Sequence, residues 1–212
     1  MSRKLNFHKS NVVQFIMLFA IVFFLNGCAG STTYVDLMPQ SFPNNMTIQK
    51  VEGSINVRTT VPTHTTNPTF KSMDVDDWID SKKLKEAIEK SIEQHAIFSQ
   101  VSQGNTNYVL EVWVEKIQNV LDVFGEGFVF DLTSIWRLTR VNDGKVIVCE
   151  FVKGHAGARG FASRAYPPGI SAATRDMMQK GLFAISDQSQ SHLTAMTTAG
   201  KRASISMQVK SD

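Results

Sequence analysis

Residues 128–153, FVFDLTSIWRLTRVNDGKVIVCEFVK, contain the pattern that decides the fold. Apolar and polar residues alternate on both sides of Asn142-Asp143-Gly144, with the two-residue period of a half-buried β-strand. Asn, Asp and Gly tolerate a positive backbone φ angle, so these three residues are typical of a tight hairpin turn. The stretch therefore predicts two adjacent antiparallel strands, the second over residues 145–153.

Upstream of this hairpin, residues 51–61 and 108–115 alternate in the same way and predict two more strands. Between them, residues 82–97 have apolar side chains at helical spacing, and Asp80 and Ser81 are good N-cap residues for that helix. A second helical stripe runs from Ile170 to about Asp187. The order β-α-β-β-β-α predicts an α+β fold, in which a four-stranded, mainly antiparallel sheet has two helices on one face.

The other face of this sheet is expected to be partly exposed. Strand alternation places Trp113, Ile135 and Phe151 on it. A contiguous exposed apolar patch marks an interaction site, so this face is a candidate partner surface.

The first 28 residues have the layout of a secretory signal. Three basic residues (Arg3, Lys4 and Lys9) precede a run from Val12 to Leu25 that is apolar except for Gln14. This run is shorter than the about 20 residues that a membrane-spanning helix needs. The segment therefore predicts export of the chain.

The residues Leu25-Asn26-Gly27-Cys28 resemble the lipobox of bacterial lipoproteins. This resemblance implies that residues 1–27 are removed and that Cys28 carries diacylglycerol and an amide-linked acyl chain such as palmitate. Ala29 follows the cysteine where an Asp would imply retention in the inner membrane, so the resemblance implies the outer membrane, on its periplasmic face. The alternative is an uncleaved signal anchor in which Cys28 is incidental.

The sequence divides into a signal peptide (1–27), a lipidated cysteine with a tether (28–47), an α/β domain (48–187) and a polar C-terminal tail (188–212). The tail is expected to be disordered, with a late strand as the alternative. The element order and the Ala96-Ile97-Phe98 run resemble small periplasmic α/β lipoproteins, such as the lipopolysaccharide-assembly lipoprotein and the auxiliary lipoproteins of ABC-type lipid transporters. This resemblance implies an accessory role in an envelope machine.

Charge and motif content argue against several other functions. The net charge is +3, and without the three basic residues of the leader the remaining 19 basic residues balance the 19 acidic ones, which gives no footprint for nucleic acid. No spacing of His, Cys, Asp or Glu is typical of a metal site, and no nucleophile motif is present. We therefore expect a chain without enzymatic activity, metal or cofactor. Cys149, which has no partner for a disulfide once Cys28 is lipidated, is expected to be a small buried side chain.

Residues 154–169, GHAGARGFASRAYPPG, are rich in glycine and are predicted to form a long loop after the last strand. Arg159, Arg164 and Tyr166 are candidate contacts for a partner protein or an anion, because the planar guanidinium group can grip a carboxylate or phosphate with two hydrogen bonds. The main hypothesis is an accessory lipoprotein that binds envelope proteins. The rival hypotheses are a lipid- or glycan-binding module that uses this loop, and a loop that is only a connector.

Overall fold

The computed structural model describes residues 32–43, 46–66, 73–122, 127–160 and 162–208. In this part of the chain it contains five strands and three helices. The strands are β1 (Val51–Thr60), β2 (Phe98–Val101), β3 (Tyr108–Asp122), β4 (Gly127–Arg140) and β5 (Val146–Arg159). The helices are α1 (Tyr34–Leu37), α2 (Ser81–Gln94) and α3 (Ala162–Gln208). The predicted α+β class is confirmed, although the numbers of strands and helices are larger than predicted.

The strands form one mixed sheet in the order β2-β1-β3-β4-β5. Strand β1 pairs in parallel with both β2 and β3, while β3, β4 and β5 form an antiparallel meander. The predicted hairpin is present, and Gly144 has a φ of 66° in its turn. The prediction of four mainly antiparallel strands is corrected, because the four residues of β2 are too few to show alternation and a parallel pairing leaves no local sequence signal.

Helix α2 forms close to the predicted position. The Asp80 carboxylate accepts a hydrogen bond from the Lys83 N–H at 2.7 Å and caps the helix. The side chains of Leu84, Ile88 and Ile92 on one stripe are fully buried against the sheet. The chain leaves the helix through Ala96, whose φ of 50° turns it towards β2.

Helix α3 packs against β5 and β4 on the same face as α2. Two glycines allow this close approach: a Cβ atom at Gly154 of β5 would lie 2.1 Å from the Ala173 carbonyl oxygen, and one at Gly181 of α3 would lie 2.3 Å from the Trp136 ring. The prediction of a long loop over residues 154–169 is wrong, because these residues belong mostly to β5 and α3. Its first glycines belong to β5, and only residues 160–161 lie between β5 and α3.

The region predicted to be a polar tail is also helical as far as Gln208. Ser189 is buried, and the Gln188 side chain donates a hydrogen bond to the Glu150 carboxylate at 2.5 Å. This corrects the prediction for residues 188–208, and at the start of this region Gln188 and Gln190 hydrogen-bond to Glu150 and to the Lys50 carbonyl. None of the described helices combines the length and the apolar character needed to cross a membrane.

The segment 32–43 packs on the folded domain, whereas the sequence predicts a tether there. Leu37 is fully buried, and the Phe42 ring lies edge-on to His95 with 4.8 Å between the ring centres. The Gln179 side chain donates a hydrogen bond to the Ser41 carbonyl at 2.5 Å. Isolated apolar side chains such as Leu37 and Phe42 hold residues 32–43 on the domain, although the segment has no periodicity. The prediction of a tether is therefore wrong for these residues.

Candidate functional site

Of the residues that the sequence predicts as a site, the structure describes an exposed Arg159 and a buried Tyr166. Cys28 lies outside the described residues. Arg159 is exposed at the end of β5, across from Gly127. Arg164 lies in the first turn of α3, and its side chain is outside the described part of the structure.

Tyr166 is a core residue and not the exposed aromatic contact that the sequence predicts. Its ring lies 5.0 Å from Phe128, 5.1 Å from Phe130 and 5.4 Å from Trp78, measured between ring centres. The Asn119 side-chain amide donates a hydrogen bond to its hydroxyl oxygen. Burial raises the pKa of the Tyr166 phenol. The second turn of α3 faces the sheet, and for this reason Tyr166 points inwards.

The sheet face without helices carries an apolar row across three strands. Trp113 of β3 is paired with Ile135 of β4, and Ile135 is paired with Phe151 of β5. Phe151 is 57% exposed. We call Trp113, Ile135 and Phe151 the apolar strip. Their predicted position on the open face of the sheet is confirmed.

A charged row lies directly beside the apolar strip and fixes one end of it. The Glu111 carboxylate contacts Arg137 at 2.5 Å and Arg58 at 4.0 Å. The Arg137 guanidinium lies over the Trp113 ring, 4.8 Å from its centre, in cation–π geometry. Charged residues of three strands, β1, β3 and β4, therefore lie beside Trp113.

The rows on the other side of the apolar strip are rich in cations. Lys116 and Lys153 both pair with Thr133, one from each side. In the next row, His155 Nδ1 lies 2.7 Å from the Asp131 carboxylate. These rows place a polar rim with excess positive charge around the apolar strip.

Cys149 is exposed on the same face, next to Phe151 along β5, so the prediction of a buried side chain is wrong. The inward positions of this strand are taken by Val148 and Val152, which are buried in the core. Cys149 has the same strand parity as Phe151, so the alternation that places Phe151 on the open face places Cys149 there as well.

A second concave feature lies at the ends of β1, β3 and β4. It is an open cleft of about 500 Å³ that includes Glu52, Asn107 and Arg140. Its polar groups are engaged within the protein: Asn107 accepts a hydrogen bond from the Ser54 N–H at 2.8 Å, and Arg140 contacts Asp143 at 2.6 Å. The Arg140 guanidinium lowers the pKa of Asp143 to about 2 by hydrogen bonding to the carboxylate. This cleft offers fewer uncommitted groups than the open sheet face.

Within the described ranges, no group of three or more His, Cys, Asp or Glu side chains is arranged to hold a metal ion. The candidate site is therefore the open sheet face, made of the apolar strip and its polar rim. The sequence identifies the strip by strand alternation, whereas the rim needs the register between the strands.

Comparison with known proteins shows a shared fold and no matching family. No protein family model and no curated protein matches the sequence. Protein XCC0632 from Xanthomonas campestris, of family DUF330, is similar with a TM-score of 0.55 and 12% identity over 72% of this chain and 95% of that chain. The minor lipoprotein from Acinetobacter baumannii has a TM-score of 0.40 at 13% identity, over 63% of this chain and 92% of that one. Lipoprotein GNA1162 from Neisseria meningitidis has a TM-score of 0.28 at 13% identity, over 53% and 89%. The first of these shows a shared fold.

Proposed function

We propose that this chain is a non-enzymatic outer-membrane lipoprotein, anchored through Cys28, and an accessory subunit of an envelope assembly or transport complex. Its folded domain faces the periplasm and binds a partner protein with the open sheet face. The signal-like leader and the lipobox-like residues 25–28 support the anchoring. The apolar strip, in which Phe151 is exposed and Trp113 and Ile135 are partly buried, supports the binding role.

The observation that carries the proposal is the exposure of Phe151 on the open face of the sheet. The side chain is 57% exposed although it belongs to the same cross-strand row as Trp113 and Ile135. Burying a fully exposed Phe side chain stabilises a complex by about 1.5–3 kcal/mol, so burying the exposed 57% of Phe151 contributes about 1–2 kcal/mol. Aromatic residues that are already held in position are typical centres of protein interfaces, because little conformational entropy is lost on binding.

The surroundings of the apolar strip favour a protein as the partner. The strip is bordered by the Arg58–Glu111–Arg137 network on one side and by Lys153 and the His155–Asp131 pair on the other. An apolar centre with a rim of both charges is the usual composition of a protein interface. The rival lipid- or glycan-binding hypothesis used a loop over residues 154–169, which are mostly strand and helix in the structure. An anionic headgroup would instead have to bind through the cations Lys116, Lys153 and Arg159.

Cys149 provides a native handle for the test. The chain has two cysteines, and lipidation converts the Cys28 thiol to a thioether, so Cys149 is the free thiol of the mature protein. A thiol-reactive photo-crosslinker attached to Cys149 in isolated outer membranes should capture one or two envelope proteins, identified by mass spectrometry. The matched control carries Cys149→Ala and Lys90→Cys, which moves the handle to an exposed position on α2.

Two substitutions then test whether capture depends on the open sheet face or on any exposed apolar side chain. Phe151→Glu should lower capture by more than about tenfold, because it removes the apolar contact and places a carboxylate where water is excluded. Val141→Glu, at a turn residue that is 51% exposed, should leave capture unchanged. Equal capture from the Lys90 position, or capture that survives Phe151→Glu, would contradict the proposal. Adducts with lipid alone would favour the headgroup-binding hypothesis.

A further inference from the structure

Strand β5 leaves one edge of the sheet open. It has 14 residues and is the last strand in the sheet order, and in the described part of the chain no strand lies beyond it. In an antiparallel pair, the N–H and C=O groups of every second residue point away from the partner strand. The His155 N–H donates to the Asp176 carboxylate of α3, so residues of this parity, including Cys149, Phe151 and Lys153, direct their main-chain groups to the open edge.

Among the described side chains of α3, Asp176 and Lys180 bond to this edge, and they reach only one part of it. Asp176 accepts the His155 N–H at 2.9 Å, and Lys180 donates to the Lys153 carbonyl at 3.1 Å. The two side chains also contact each other at 2.6 Å. Further along the helix, Gln188 bonds to the Glu150 carboxylate, which is a side-chain group and not part of the edge.

The next outward positions towards the hairpin turn are Cys149 and Phe151, and both residues are exposed. Each offers one N–H and one C=O at the edge. Proteins usually blunt such edges with charged side chains or coverings, because an open edge pairs with other strands. Here the covering ends beside the apolar strip.

We propose that the partner binds by strand addition, with an extended segment that pairs with the Cys149–Phe151 part of β5 as a sixth strand. This inference rests on the proposed function and specifies its binding mode. An extended polypeptide is the occupant that matches a row of alternating N–H and C=O groups. Its side chains on the open face would meet Phe151 and Lys153, so an apolar and an acidic residue two positions apart fit this register best.

The capped residues limit the length of the added strand. At Lys153 and His155 the edge groups are already bonded to Lys180 and Asp176, and a partner strand would have to displace both. The partner segment therefore pairs from the hairpin side and ends near Lys153. Main-chain pairing supplies affinity, while the apolar strip selects the side chains.

A pair of substitutions at Cys149 distinguishes main-chain pairing from side-chain contact. A diazirine amino acid in place of Ile135 of the full lipidated protein serves as the handle, which leaves β5 free for substitution. Cys149→Ala keeps the N–H, whereas Cys149→Pro removes it at a position outside the ladder with β4. Cys149→Ala should capture the partner as the wild type does, and Cys149→Pro should lower capture by at least about tenfold.

Hydrogen exchange provides a second measurement that does not depend on the proline variant folding normally. On binding of the captured partner, the amides of Cys149 and Phe151 should become strongly protected, while that of His155, already bonded to Asp176, should change little. Unchanged exchange at Cys149 and Phe151, or full capture by a folded Cys149→Pro protein, would rule out strand addition but leave the proposed partner binding in place. If the wild type captures no protein, the proposed function itself fails, and this inference fails with it.

Discussion

Replacing Gly154 by Ala tests the closest contact between the sheet and α3. A Cβ atom at this position would lie 2.1 Å from the Ala173 carbonyl oxygen and 2.7 Å from Met177 Cβ. An ordinary contact begins at 3.4 Å, so the helix would have to retreat by about 1.3 Å. The first obstacle is a main-chain atom of α3, and no side-chain rotation can relieve the clash.

The expected net loss of stability is about 2 kcal/mol. Overpacking a well-packed core costs about 1–3 kcal/mol, and a main-chain obstacle places Gly154→Ala at the upper end. The smaller conformational entropy of Ala in the unfolded chain offsets about 0.5–1 kcal/mol of this loss. For a chain of this length the melting temperature should fall by about 4–8 °C.

The same strand contains a matched control. A Cβ atom at Gly157 would find its nearest neighbour, the Phe128 carbonyl oxygen, at 4.0 Å. Gly157→Ala should therefore be neutral or stabilise the protein by up to about 1 kcal/mol. Thermal unfolding of both purified variants, followed by circular dichroism, measures the difference. Equal melting temperatures would show that β5 does not present Gly154 to the helix, and the assignment of its two faces would be wrong.

Four further predictions concern the anchor, the core, the hairpin turn and the sheet edge. Cys28→Ser should leave a larger, unlipidated precursor, and a processed protein that still floats with the outer membrane would contradict the lipobox assignment. Ile88→Ala should cost about 2–5 kcal/mol in chemical unfolding because Ile88 is fully buried, whereas Lys85→Ala should cost less than about 0.5 kcal/mol. The Asp143 carboxyl should titrate with a pKa of about 2 by NMR, and Arg140→Gln should return this pKa to the ordinary range. Because the pKa is lowered in the folded state, the ionised Asp143 stabilises the fold fully above about pH 4. This contribution to folding stability is lost as the pH falls towards 2. Asp176→Ala with Lys180→Ala should uncover the capped edge groups and increase self-association in sedimentation experiments, and an association state equal to that of the wild type would show that these side chains do not protect the edge.

The parts of the fold that follow local rules were predictable from the sequence. The alternation around Asn142-Asp143-Gly144 gives the hairpin, and the apolar spacing after Asp80 gives α2. In both cases the residues that determine the structure are neighbours in the chain. The apolar strip was predictable for the same reason, since alternation alone puts Ile135 on the face opposite the buried Trp136.

The errors arise where distant contacts decide the structure. Gly154 looks like a loop residue, but it lies in β5. It is a glycine there because α3 approaches it too closely for any side chain. Tyr166 looks like an exposed anchor in a basic loop, yet Phe128, Phe130 and Trp78 surround it. The open edge of β5 depends on the order of the strands, which local periodicity does not reveal.

The contacts between the first described segment and α3 have a consequence for folding during secretion. Ser41 and Gln49 hydrogen-bond to residues of α3 that lie 138 and 137 positions later in the chain. Contacts of such long sequence separation form late and slow the overall folding rate. On the proposed secretory route the N-terminal end crosses the inner membrane first, and Leu37 lacks its final packing until α3 has followed. On this proposed route the fold is completed only after translocation, because the final packing of residues 32–43 needs α3.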